Sequence, residues 1–170
     1  MERDIVLLVI QDRNGMISWA GEPAWDIPEA TEYLKRITFG HHVIAGERTA
    51  KFLNFFRGSQ MVVVSNKDNP FYKNARSFEE AVEKCGDDPE IFIAGGARIY
   101  AAALPRANVI YSFEISGKLD GFPRKTPVYF PSINIEEWPM GRSSKSFTWQ
   151  EKKRGGIPVN CREVIYQKRV

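Results

Sequence analysis

Ile91-Phe92-Ile93-Ala94-Gly95-Gly96-Ala97-Arg98-Ile99-Tyr100 is the stretch on which the reading of this 170-residue chain turns. The unbroken apolar run from Ile91 to Ala94 predicts a strand buried on both faces. Gly95 and Gly96 let the backbone turn tightly and approach a ligand with no side chain between them. Ala97 to Leu104 then predicts a helix. Its first N–H groups, with Arg98 beside them, form an anion site. Strand, paired glycines and helix start suggest a nucleotide pyrophosphate. Steric need alone puts two glycines at many such turns, so on this motif the structural and functional readings stand level.

Upstream, Ile5 to Ile10 is an aliphatic run expected at the sheet centre, closed by the turn Gln11-Asp12-Arg13-Asn14-Gly15. Met16 to Asp26 holds two tryptophans and a proline but no sustained period, and reads as a long functional loop. Pro28 suits a helix N1 position, and Ala30, Tyr33, Leu34 and Ile37 follow at helical spacing. His42 to Ala45 runs into Gly46-Glu47-Arg48-Thr49, a second strand–glycine–helix junction. Met61 to Asn66 is a third buried strand. Ser77 caps a helix over Phe78 to Cys85, with Glu80 completing a capping box. Val109 to Ile115 and Val128 to Phe130 read as strands, and Phe147 to Lys152 with Cys161 to Lys168 as an antiparallel hairpin around Gly155-Gly156.

Strands alternating with helices, then strands alone, give an α/β fold. A single domain, residues 1–170, forms a three-layer sandwich whose mostly parallel central sheet ends in an antiparallel C-terminal edge. Ligands of such sheets lie beyond the carboxyl ends of the strands, where Gln11, Gly46, Ser65 and Gly95 all fall. The formal net charge of +3 is too mild to imply nucleic acid. No apolar segment approaches the ~20 residues that cross a bilayer. The two cysteines, Cys85 and Cys161, form no metal or redox motif, and with no signal-like start a cytoplasmic monomer is expected.

Four segments, in order and spanning essentially the whole chain, resemble the dihydrofolate reductase family. Gly15-Met16-Ile17 through Trp25-Asp26-Ile27-Pro28 is similar to its mobile loop with the W-x-x-P exit. Val43 to Thr49 is similar to V-I-M-G-R-x-T, Ile93 to Tyr100 to I-G-G-x-x-x-Y, and Tyr129-Phe130-Pro131 to F-F-P. The resemblance implies hydride transfer from NADPH to C6 of 7,8-dihydrofolate, with water-mediated protonation of N5. Carried over by position, Ile10 and Ile17 border the nicotinamide. Gly46, Arg48 and Thr49 meet the pyrophosphate and the 2′-phosphate side. Ser65 and Asn66 hold the 2′-phosphate, with Arg76 near the adenine. Gly95, Gly96, Ala97, Arg98, Ile99 and Tyr100 cradle the pyrophosphate and ribose. Trp25 orders the loop and a water, with Glu29 beside it, and Gln11, Ala30, Leu34, Arg57 and Phe113 fall on the pterin side. Taken singly, Arg48, Arg76 and Arg98 also read as solvated surface charges.

Departures from the family pattern are as informative as the matches. Ala30 stands where the family's active-site carboxylate is expected, on the first turn of the helix. Glu29 and Asp26 are nearby, but a helix sets neighbouring residues about 100° apart, so Glu29 should point away, and a first-turn acid there also suits the helix dipole. In Arg57-Gly58-Ser59, a serine takes the place of the arginine that meets the folate glutamate tail. Phe113 replaces a small hydroxylated residue, and Glu47 a basic one facing the 2′-phosphate, which bears on the choice between NADPH and NADH. Three readings follow. The first is a divergent dihydrofolate reductase. The second is a reductase of another pterin or of a riboflavin-pathway pyrimidine, since Trp25 to Ala30 is similar to W-x-S-P-E-A. The third is a non-catalytic nucleotide-binding homologue. The first is adopted as the expectation, because the Tyr-Phe-Pro segment and the short connections fit it best.

Overall fold

The first strand, β1 (Asp4–Asp12), sits in the middle of the sheet, and Ile5 to Val9 are each at most 3% exposed. A computed structural model describes residues 3–19, 22–53, 58–116, 126–144, 146–152 and 156–170. Strand pleating sends alternate side chains to opposite faces. Ile5, Leu7 and Val9 therefore pack with α3 (Phe78–Lys84) and α4 (Ala97–Ala103), while Val6 and Leu8 pack with Ala30 and Leu34 of α1 (Pro28–Thr38). Three layers result, and each fully buried aliphatic side chain contributes roughly 1.5–3 kcal/mol by leaving water.

Beside β1 lie β7 (Glu90–Gly95), β4 (His42–Gly46), β5 (Gln60–Val64) and β6 (Lys73–Ala75), each parallel to its neighbour. The short helix α2 (Glu47–Phe52) leaves β4 directly. On the other side of β1, the parallel β8 (Val109–Ser116) pairs with the long antiparallel β12 (Ile157–Gln167). Against β12 lie β10 (Met140–Ser143) and β11 (Phe147–Glu151). Among the described residues no helix is long and apolar enough to cross a membrane. The mixed sheet and its hairpin edge agree with the expected fold class.

Several local expectations are corrected. Met16 to Asp26 is not all loop: β2 (Met16–Trp19) pairs with β3 (Glu22–Pro23) and with β9 (Pro127–Tyr129) in a small second sheet. Four residues are too few to show a period, and β9 lies far along the chain. The helix after the glycines stops at Ala103 and tightens into a 3-10 turn over Leu104–Arg106, because Pro105 has no N–H to continue it. Ser77 does accept the N–H of Glu80 at 3.1 Å, but the Glu80 carboxylate reaches back to the N–H of Arg76, one residue before the cap, at 2.7 Å. The strands β6 and β10 are three and four residues long, too short for an alternating pattern to announce them.

Candidate functional site

The carboxyl ends of β1, β7, β4 and β5 open on one cleft of about 1100 Å³. At its β1 end the walls are apolar: Leu8, Ile10, Ile17, Trp25 and Leu34 line it. Thr31 and Leu34 reach it from one face of α1, three residues apart as a helix requires. Two glycine turns meet in the middle. A Cβ on Gly46 would lie 3.8 Å from the Gly96 nitrogen, and one on Gly96 3.4 Å from Thr49 Oγ1. Gly95 has φ +110°, where side chains are strained, and a Cβ there would press the Tyr100 ring at 3.1 Å. Burial pushes the Tyr100 phenol up, and its hydroxyl is donated to the Leu8 carbonyl at 2.5 Å, tying α4 to β1 under the turn.

The far end is polar. Arg48, Lys67 and Arg98 line it and are exposed, with no side-chain partner among the described residues. The Arg76 guanidinium is engaged, donating to the Ser65 carbonyl at 2.7 Å and to Asp68 at 2.6 Å. A left-handed turn at Gly95, with Gly46 and Gly96 bare of side chains on adjacent strands and unpaired cations flanking them, fits a dinucleotide pyrophosphate.

Of the sequence-predicted residues, Ile10, Ile17, Trp25, Leu34, Gly46, Arg48, Thr49, Ser65, Asn66, Arg76, Gly95, Gly96, Ala97, Arg98, Ile99 and Tyr100 line this cleft together. Others do not. Gln11 faces β8, where its amide donates to Ser112 Oγ at 2.8 Å. Ala30 has no exposure and packs in the core. Phe113 is also buried, its ring edge-on to Tyr33 at 5.3 Å and tilted against Trp149 at 5.4 Å. Burial, reinforced by a hydrogen bond to Glu163, pushes the Tyr33 phenol up to about 12. Glu29 is exposed and off the cleft, and its charge acts toward Cys161 on β12. Arg57 lies outside the described residues.

A family model for dihydrofolate reductase matches residues 4–164. The chain belongs to the dihydrofolate reductase family. It is 26% identical over 169 residues to the dihydrofolate reductase of Bacillus subtilis, covering 97% of this chain and 95% of that one. It is 28% identical over 138 residues to the Staphylococcus haemolyticus enzyme, covering 79% and 80%. A solved structure of dihydrofolate reductase from Enterococcus faecalis, complexed with NADP(H) and RAB-propyl, matches with a TM-score of 0.80 at 18% identity. That match covers 100% of this chain and 99% of the other, and it shows a shared fold.

Sequence reasoning missed Thr31, Lys67 and Glu22 as cleft residues of this family member, and placed Asp26 near the Ala30 position without giving it a role. Asp26 was legible as the acid directly after Trp25, but its backbone anchor was not. Its N–H is accepted by Glu151 at 3.0 Å, and its carbonyl accepts the Lys152 N–H at 3.0 Å, both on the far side of the sequence. The Asp26 carboxylate itself makes no hydrogen bond among the described residues.

Proposed function

We propose that the chain reduces 7,8-dihydrofolate to tetrahydrofolate with NADPH as reductant. The observation that carries this is a single cleft with an apolar end at β1 and a paired-glycine, cationic end at β4, β5 and β7, in a chain of this family. Bound NADPH supplies the hydride that reduces C6, and N5 takes a proton, so the C6=N5 bond becomes single. Gly46, Gly95 and Gly96 let the pyrophosphate approach the backbone, and Arg48 and Arg98 neutralise it. Ile10, Ile17, Trp25 and Leu34 enclose the stacked rings and exclude water from the hydride path.

The proton route is this chain's own. With alanine at position 30 and Glu29 off the cleft, Asp26 is the carboxylate beside Trp25 that is fixed by its backbone and free in its side chain. We assign to it the relay of a proton through cleft water to N5. Pterin donors that the family's carboxylate would pair meet Thr31 instead. The protein acts as a cytoplasmic monomer on a small pterin, in one domain.

A second reading, reduction of a ring other than the pterin, draws on the buried Ala30 and on Phe113 packed against Tyr33 and Trp149. Following NADPH absorbance with dihydrofolate, and separately with a riboflavin-pathway pyrimidine, decides between them. Turnover with dihydrofolate is expected. Oxidation with the pyrimidine alone would exchange the readings, and cofactor binding without any turnover would leave a nucleotide-binding protein.

A further inference from the structure

Glu47 places a carboxylate at the cleft's outer end, among the groups that would otherwise receive a phosphate. The strand order β1-β7-β4-β5-β6 fixes which end this is. At ~4.8 Å per strand, the cleft runs about 14 Å from Ile10 on β1 to Ser65 after β5. The glycine turns of β7 and β4 sit between, so a dinucleotide with its pyrophosphate there sends one ribose toward Ser65.

Gly46 and Val64 are register partners on adjacent parallel strands, so the residues that follow them, Glu47 and Ser65, emerge side by side. The Ser65 hydroxyl donates to Glu47 Oε2 at 2.9 Å and accepts the Lys67 N–H at 3.0 Å. A hydroxyl has one proton to give. Ser65 has given it to Glu47, and Arg76 is held by Asp68 and the Ser65 carbonyl. Glu47 is half-buried at the first position of α2, where an acid also suits the helix dipole, but its side chain crosses to β5 instead of pointing into solvent.

A carboxylate only accepts, and it has lone pairs to spare beyond the one Ser65 uses. The two hydroxyls of a ribose donate, whereas a 2′-phosphate brings only acceptors and further negative charge. Acidic side chains elsewhere select an unphosphorylated ribose on this ground. Arg48 and Lys67, unpaired and exposed, still attract a phosphate.

We infer that Glu47 is a specificity-determining residue that makes the enzyme accept NADH alongside NADPH, by receiving the adenosine ribose hydroxyls and denying the 2′-phosphate its Ser65 donor. Glu47 weakens phosphate binding, and Arg48 and Lys67 keep it from failing. This rests on the reductase reading above.

The test is equilibrium titration of the full chain with ADP-ribose and with 2′-phospho-ADP-ribose, followed by kcat/KM for NADH and NADPH. The unmodified protein is expected to bind the two fragments within about tenfold of each other. Glu47→Gln keeps the side-chain size and removes the charge, and it should raise the preference for the phosphorylated fragment by about tenfold or more; Glu47→Arg should raise it further. A preference for the phosphorylated fragment above ~100-fold in the unmodified protein, unchanged in Glu47→Gln, overturns the inference and leaves the reductase reading standing. If neither fragment binds and neither cofactor is oxidised, the reductase reading itself falls, and this inference with it.

Discussion

The side chain of Glu151, with no solvent exposure, accepts the backbone N–H of Asp26 at 3.0 Å. One residue on, the Lys152 N–H donates to the Asp26 carbonyl at 3.0 Å. The C-terminal hairpin thus holds both polar groups of one peptide segment between Trp25 and α1. Glu151→Ala removes the acceptor and should cost about 1–3 kcal/mol by urea unfolding, because a donor loses its partner. Glu151→Gln keeps an acceptor and should lose less. Both should lower kcat as well as raise KM for the pterin, since they loosen the segment that carries Trp25 and the proposed Asp26 relay. An unchanged KM in Glu151→Ala would separate this anchor from the cleft.

Much of the glycine-turn end of the cleft was legible, and the physical reason is local. A buried parallel strand is a continuous apolar run, and a glycine turn follows it directly, so Ile91 to Gly96 and Val43 to Gly46 each announce strand and turn within a few residues. Glu47 was also legible as an acid in a basic position, but its bond to Ser65 required knowing that β4 and β5 are neighbours in register. The β1 end of the cleft was harder. Asp26 is fixed by Glu151, a contact spanning most of the chain, and Gln11 departs from the cleft because Ser112 on β8 offers its amide a partner. Met16 to Trp19 became a strand because β9 was there to pair with it, which no window around Met16 contains.

Gly95 has φ +110°, and its absent Cβ would meet the Tyr100 ring at 3.1–3.2 Å. Tyr100 cannot move aside freely, since its hydroxyl is bonded to Leu8 and its ring packs on Phe130 at 4.9 Å. Gly95→Ala should therefore lower stability by roughly 1–3 kcal/mol, from backbone strain and the displaced ring together. Thermal unfolding measures the loss, and NADPH titration should show weaker binding in protein that remains folded. A Gly95→Ala protein with unchanged Tm would mean that the turn relaxes without Tyr100.

At the opposite end of the sheet, Asp88 accepts from His41 at 2.9 Å, from the ring and backbone nitrogens of His42 at 2.7 Å each, and from the Glu90 N–H at 3.1 Å. Burial alone would raise its carboxyl, but these hydrogen bonds prevail and bring it from the usual 3.8 down to about 2. A carboxyl held below its unfolded value contributes stability that is complete above the unfolded value and disappears as pH falls through the folded one. That loss should lie between about pH 4 and 2. Asp88→Asn should be less stable at neutral pH and flatter across this acid range. Tm measured from pH 2 to 7 on both proteins checks it, and parallel acid limbs would show that other carboxylates govern the transition.

Asp26 is the proposed proton relay, and its removal should appear in the pH profile before it appears in binding. The side chain lines the cleft beside Trp25 without a hydrogen bond among the described residues, so Asp26→Asn perturbs little packing. A positioned acid contributes about 10²–10⁴ in rate, and one acting through water should fall at the low end, so kcat should drop by roughly 100-fold near neutral pH. Turnover should then climb more steeply toward acid, as bulk protons replace the relay. Glu29→Gln, altering an exposed residue off the cleft, should leave kcat and its pH dependence as they are. Equal losses in the two variants would place the proton elsewhere. A loss in Glu29→Gln alone would return the role to Glu29 and require the start of α1 to rearrange around bound pterin.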